Sequence, residues 1–294
     1  MRTWRYCLNL LLFGLSVLTL SLAAWVLCLT HQHALSYVHP ARMIRPANDT
    51  PARFGIPYED ITLTTSDGLT LHAWYTPPQN GAVVLVVHGY TTARSADIHS
   101  LFARHRYGVV SLDLRAHGES EGELCTFGYY ERLDVEAALE FALSQPGVER
   151  VGAWGGSMGG ATVIMAAARQ PEIEAVVADS AYATLADELD VMVRSALLRP
   201  LVRFFAEREA GISIHDVRPE DAIGQISPRP VLVIQGLADT TVPPEASERL
   251  YQAAGEPKSL WAEPGVGHLE MMHRFPTEYE RRVVAFLDES LLAR

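Results

Sequence analysis

The residues with the clearest chemical potential stand in Gly155-Gly156-Ser157-Met158-Gly159-Gly160. The apolar run Val148 to Trp154 stops there, and a run rich in Ala and Met, Ala161 to Ala168, starts at once. A serine on a sharp turn between strand and helix holds its hydroxyl clear of the sheet edge, and flanking glycines tolerate the crowding and strain of that turn. The helix that follows points unpaired N–H groups at an oxygen that becomes negative during acyl transfer. The chemistry suited to this pattern is attack by Ser157 on an acyl carbon. A hydroxyl is a poor nucleophile at neutral pH, so it needs a base for its proton and a carboxylate to orient that base.

At an elbow of this kind the chain order is serine, acid, histidine. Only His268 and His273 lie beyond the last long apolar strand. His268 sits in the Gly-rich loop Pro264-Gly265-Val266-Gly267-His268 and is the candidate base, whereas His273 begins a helical pattern and reads as a surface residue. Asp239, in the loop after the strand Val231 to Gln235, is the candidate acid; Asp179, after the strand Ile173 to Ala178, is its rival. The N–H of Met158 and that of Tyr90, in the loop after Ala82 to Val87, are the candidate oxyanion donors. His88 precedes the serine and reads as a shaper of that loop. Asp113 and Arg115 read as a structural pair near the site, with substrate carboxylate binding as the other role.

These residues need elements to position them. Ile61 to Thr65 and Leu69 to Tyr75, joined by Ser66-Asp67-Gly68, predict a hairpin. Ala82 to Val87, Val109 to Leu112, Val148 to Trp154, Ile173 to Ala178, Val231 to Gln235 and Lys258 to Ala262 predict strands, and Leu133 to Leu143, Ala161 to Ala168 and Phe275 to Leu292 predict helices. Alternation of this kind gives a mainly parallel sheet with helices on both faces. The alternation pauses over residues 182–226, where apolar residues recur at helical spacing. That stretch is either helices packed on the body or a cap over the substrate pocket, and the two readings are compatible.

Residues 1–30 predict a membrane anchor. Tyr6 to Thr30 carries no charged side chain, and roughly 20 apolar residues span a bilayer core. Arg2 and Arg5 in front favour a cytoplasmic N-terminus and an extracytoplasmic body, while Arg42 and Arg45 behind oppose that orientation. A signal peptide cleaved near Ser21-Leu22-Ala23 is the alternative, with a secreted or periplasmic product. Residues 31–56, broken by Pro40, Pro46 and Pro51, predict a linker, and residues 57–294 the folded domain.

The 294 residues are 48% hydrophobic and 20% charged, which describes a globular chain. A net charge of −11 opposes nucleic-acid binding. The 11 His and 3 Cys show no metal-ligand spacing, and no disulfide framework is expected.

His88-Gly89, Asp113-Leu114-Arg115-Ala116-His117-Gly118-Glu119-Ser120, Gly155-Gly156-Ser157-Met158-Gly159-Gly160, Gly236-Leu237-Ala238-Asp239 and Gly265-Val266-Gly267-His268, with Tyr58-Glu59-Asp60 and Asp67-Gly68 before them, resemble the α/β-hydrolase superfamily. Within it the chain resembles membrane-anchored serine hydrolases related to prolyl-oligopeptidase catalytic domains, over roughly residues 57–292. The resemblance implies Ser157 as nucleophile, Asp239 as acid and His268 as base; the helical spacing at about 182–226 gives the expectation of a small helical cap. Many relatives have Gly where this chain has Ala116. The expected activity is hydrolysis of a carboxylic ester or thioester of a small acyl substrate, with no cofactor and no metal. Amide or peptide hydrolysis, or a tethered binding protein without catalysis, are the alternatives. Substrate identity and oligomeric state stay open, since this fold hosts many activities.

Overall fold

The computed structural model describes residues 2–43 and 45–293; positions 1 and 294, and position 44 of the predicted linker, lie outside the described residues. The chain opens with one long apolar helix, α1 (Arg2–Val38). The hairpin β1 (Glu59–Thr64) and β2 (Thr70–Thr76) follows, then β3 (Ala82–Val87), α2 (Ala96–Arg104), β4 (Gly108–Leu112), α3 (Glu131–Ser144), β5 (Arg150–Gly156), α4 (Met158–Ala167) and β6 (Ile173–Asp179). Three helices, α5 (Leu185–Met192), α6 (Arg199–Ala210) and α7 (Pro219–Ile223), interrupt the alternation. It resumes with β7 (Val231–Gly236), α8 (Glu245–Ala253), β8 (Lys258–Glu263), α9 (Met271–Arg274) and α10 (Pro276–Leu287).

The strands form one 8-stranded sheet in the order β1-β2-β4-β3-β5-β6-β7-β8. The pairs β1–β2 and β2–β4 are antiparallel, and the remaining pairs are parallel. β3 is apolar and buried at all 6 positions, as a strand covered on both faces must be. Val83, Leu85 and Val87 face the core built with α3, α4 and α8. Val84 and Val86 face the core built with α2 and α10. The strands β3, β5, β6 and β7 therefore end together at one sheet edge, where ligands bind in open parallel sheets.

Three features depart from the sequence reading. First, α2 was not expected, because its buried stripe includes polar residues. His99 is fully buried, 2.8 Å from Thr76 Oγ1 and 2.9 Å from Ser111 Oγ. Second, α1 runs on to Val38, beyond the predicted start of the linker. Thr30, Ala34 and Val38 recur at helical spacing and are buried against the body, so tertiary contact extends the helix. Arg42 then donates to the carbonyls of Gly118 (3.2 Å), His117 (3.3 Å) and Gly122 (2.6 Å), which seats the following segment on the domain. Third, the predicted C-terminal helix is divided: α10 starts at Pro276, ends at Leu287, and is followed by one wider turn to Leu292.

Asp113 and Arg115 are not partners. Arg115 binds Asp134 through Nε (2.8 Å) and Asp67 through Nη1 (2.7 Å). Asp113 accepts the backbone N–H groups of Arg94 (2.8 Å) and Glu119 (3.1 Å). The two side chains thus tie different loops to the sheet edge. Ala116, which follows Arg115, has φ +60°, the left-handed region where glycine carries no Cβ penalty. Arg115→Met would leave Asp134 buried without its cation, and we expect a loss of about 3–5 kcal/mol, measurable as a shift in the urea-unfolding midpoint of the detergent-solubilised protein.

Candidate functional site

Ser157 stands between β5 and α4, as the cap residue before α4, with φ 55° and ψ −121°. That conformation is costly for a non-glycine residue and persists only where the surroundings over-determine it. Here they do. The N–H of Ser157 donates to the Asp179 carbonyl at 2.8 Å. A Cβ on Gly159 would lie 2.2 Å from the Val87 carbonyl oxygen, so the first turn of α4 is pressed against the end of β3. Thr91, Ser180 and Leu269, in three loops at this edge, also have positive φ. Strain of this kind clusters at functional sites.

The loop after β3 comes equally close. A Cβ on Gly89 would lie 3.2 Å from Ser157 Cβ. His88 holds this loop: its Nε2 accepts the N–H of Leu114 at 3.0 Å, and its Nδ1 lies 2.7 Å from the Gly89 carbonyl. Burial, helped by His117, pushes the imidazole down to about 4, so it is a neutral strut, not a base. The next residue is Tyr90. Neither its N–H nor that of Met158 has an acceptor among the described residues. Two free donors beside a strained serine suit the negative oxygen of a tetrahedral intermediate.

Asp239 lies in the loop after β7, where Ala238 N–H donates to the Val266 carbonyl at 2.8 Å and brings the loops after β7 and β8 together. Its side chain is fully buried and met only by donors: the N–H groups of Thr241 (2.8 Å) and Val242 (2.9 Å), Gln235 Nε2 (3.1 Å) and His268 Nδ1 (2.7 Å). Since a carboxylate only accepts, Nδ1 carries the proton of a neutral His268 and Nε2 is left as its acceptor. Ser157 Oγ and His268 Nε2 do not hydrogen-bond to each other here. Their loops nevertheless meet through one stretch of chain: Asp179 holds the Ser157 N–H, and Ser180 Oγ holds the Leu269 N–H at 3.3 Å. Catalytic hydrogen bonds are often open without substrate and tighten in the bound complex.

The rivals stand elsewhere. Asp179 accepts from Tyr279 OH (2.8 Å) and Ser180 Oγ (3.0 Å), and burial raises its carboxyl to about 6. Tyr279 in turn accepts from Trp154 Nε1 at 2.8 Å. Asp179 therefore belongs to a network beneath the elbow. His273 is exposed on α9. A cleft of ≈ 350 Å³ opens beside the elbow, with His88, Gly89, Gly156, Asp179 and Leu269 in its wall.

One residue of the site escapes the sequence reading. Glu188 projects from α5, is 7% exposed, and has an Oε2 without a hydrogen-bond partner. Burial raises its carboxyl to about 7, against an opposing pull from His268. The available signal was a carboxylate beside the apolar positions Leu185, Leu189 and Met192 of one short helix. The unfolded chain releases this proton near the ordinary 4.5, the folded chain near 7. Stability from Glu188 is therefore complete below the lower value and is lost as pH rises through the upper one. Between pH 5 and 8 the wild type should lose roughly 2 kcal/mol relative to Glu188→Gln, read from thermal unfolding at both pH values.

A sequence-family profile described as alpha/beta hydrolase fold matches residues 82–210. The uncharacterized protein Rv2307c of Mycobacterium tuberculosis is 32% identical over 238 residues, covering 74% of this chain and 79% of that one. The alpha/beta hydrolase domain-containing protein WAV2 of Arabidopsis thaliana is 27% identical over 260 residues, 82% of each chain. Among solved structures, the Pyrococcus furiosus esterase Pf2001 superposes with a TM-score of 0.74 at 27% identity, covering 87% of this chain and 98% of that one. Strand order, the serine elbow and the extent of these likenesses agree, and the chain belongs to the α/β-hydrolase superfamily.

Proposed function

We propose that the protein is a membrane-anchored serine hydrolase of carboxylic esters or thioesters. Ser157 Oγ attacks the acyl carbon while His268 Nε2 takes its proton. The Met158 and Tyr90 N–H groups hold the carbonyl oxygen as it becomes negative. His268 then gives the proton to the leaving alcohol or thiol, which departs as the acyl–Ser157 ester forms. Water attacks that ester, again with His268 as base, and the acid is released. Asp239 orients the imidazole and stabilises its cation.

The observation that carries this reading is the 2.7 Å bond between His268 Nδ1 and a fully buried Asp239, beside a serine held at φ 55°. The likeness to an esterase from Pyrococcus furiosus supports the reaction class. The anchor reading rests on α1, whose apolar side chains from Trp4 to Leu29 are exposed while Thr30, Ala34 and Val38 are buried against the folded body. The helix is thus continuous with the domain, as suits a segment that is kept.

Ser157→Ala is expected to lower turnover of p-nitrophenyl butyrate by about four orders of magnitude or more, and Asp239→Asn by about 10³–10⁴-fold. Both variants should keep the wild-type melting temperature within a few degrees. Unchanged turnover by Ser157→Ala in a clean preparation would reject the assignment.

A further inference from the structure

α6 stands where the anchor meets the body. The Phe205 ring lies 4.9 Å from that of His31, one residue past the buried Thr30. The outer side of this region is apolar: Leu197 is 85% exposed and Phe204 56%. Leu201, Phe204 and Arg208 recur at helical spacing on α6 and share that side, and Leu197 stands in the turn just before the helix. Arg194 and Arg208 are exposed and have no ion-pair partner among the described residues.

The oxyanion loop sits at nearly the same height. Tyr90 OH donates to the carbonyls of Ser36 (3.1 Å) and Tyr37 (3.0 Å) in the last turns of α1. From Thr30 to Ser36 a helix rises only about 9 Å, so Tyr90 lies within roughly the depth of a head-group layer above the point where α1 enters the body. An apolar seam of ≈ 40 Å³, bordered by Val38, Phe127, Leu189, Met192 and Ile214, separates α1 from α5 and α6. Its inner wall, Phe127, stacks on Tyr90 at 4.9 Å.

We propose that α6 and the turn that precedes it lie in the interface of the bilayer that holds α1, with Leu197 and Phe204 among the upper acyl carbons and Arg194 and Arg208 among the head groups. The substrate is then an acyl ester of a membrane lipid, delivered from that bilayer to Ser157. The interface part stands on the geometry of α1 and α6; the substrate part rests on the hydrolase reading above.

The test uses the full chain reconstituted in phosphatidylcholine vesicles. Phe204→Cys, in a Cys7→Ser/Cys28→Ser background, is labelled with an environment-sensitive fluorophore. Cys125 stays unlabelled, since it is buried and burial pushes its thiol well up. Blue-shifted emission, quenched by doxyl-labelled lipid, is expected. Water-like, unquenched emission would overturn the proposal and would leave a protein partner as the cover for this face. In parallel, Leu197→Asp/Phe204→Asp should keep p-nitrophenyl butyrate turnover within twofold of wild type and lower monooleoylglycerol turnover in vesicles at least tenfold. An equal effect on both esters, or none on the lipid, counts against delivery from the bilayer. If neither ester is cleaved by the wild type, the hydrolase reading fails, while the quenching result still decides the interface.

Discussion

Between the end of β3 and the first turn of α4 there is room for a hydrogen atom and little else. A Cβ on Gly159 would meet the Val87 carbonyl oxygen at 2.2 Å. That contact sets the height of α4, and with it the direction of the Met158 N–H. It also drives the chain at Ser157 into a backbone conformation that a serine does not choose freely. The other parts of the candidate site are loops arranged around this point. The loop after β3 comes against Ser157 from one side, and the loops after β7 and β8 bring in Asp239 and His268 from the other.

The loops are held by buried polar groups whose partners differ in kind. Arg115 joins Asp67 in the hairpin turn to Asp134 in α3. Asp113 gathers backbone N–H groups of two loops. His88 is neutral and joins β3 to the strand end at Leu114. Each is satisfied by fixed donors or acceptors, as buried polar groups must be. Glu188 is one of a few exceptions, with a buried Oε2 that no donor among the described residues reaches. Its carboxyl, pushed up by burial and pulled down by the charge of His268, couples α5 to the electrostatics of the candidate site.

The long apolar helix α1 is also joined to the body. Its last turns are covered by the body, and their carbonyls hold the Tyr90 hydroxyl. Tyr37 OH donates to the Met192 carbonyl at the end of α5, and Cys125 N–H to the Val38 carbonyl. The end of α1, α5 and the loop after β3 therefore share one set of contacts, and a displacement of one is felt by the others.

Much of this was legible from local chemistry. Uninterrupted apolar runs revealed β3 to β7 because a strand covered on both faces admits little else. The glycines around Ser157 revealed the elbow because only they fit its contacts, and chain order picked out Asp239 and His268. What stayed hidden depends on partners distant in the chain. The stripe of α2 is masked by His99, whose hydrogen-bond partners lie on other elements. Residues 31–38 carry no helix signal of their own and are helical because α6 covers them. Arg115 looked like the partner of Asp113 because they are neighbours in sequence, yet strand alternation and loop packing send them to different acids. Residue types and their order thus specified which groups could react and on which kind of element each stands. Which of those groups touch, that Asp179 turns to Tyr279 while Asp239 takes the imidazole, and that α1 reaches Tyr90 were decided by sheet register and side-chain packing, since these distances exist only once the chain has closed on itself.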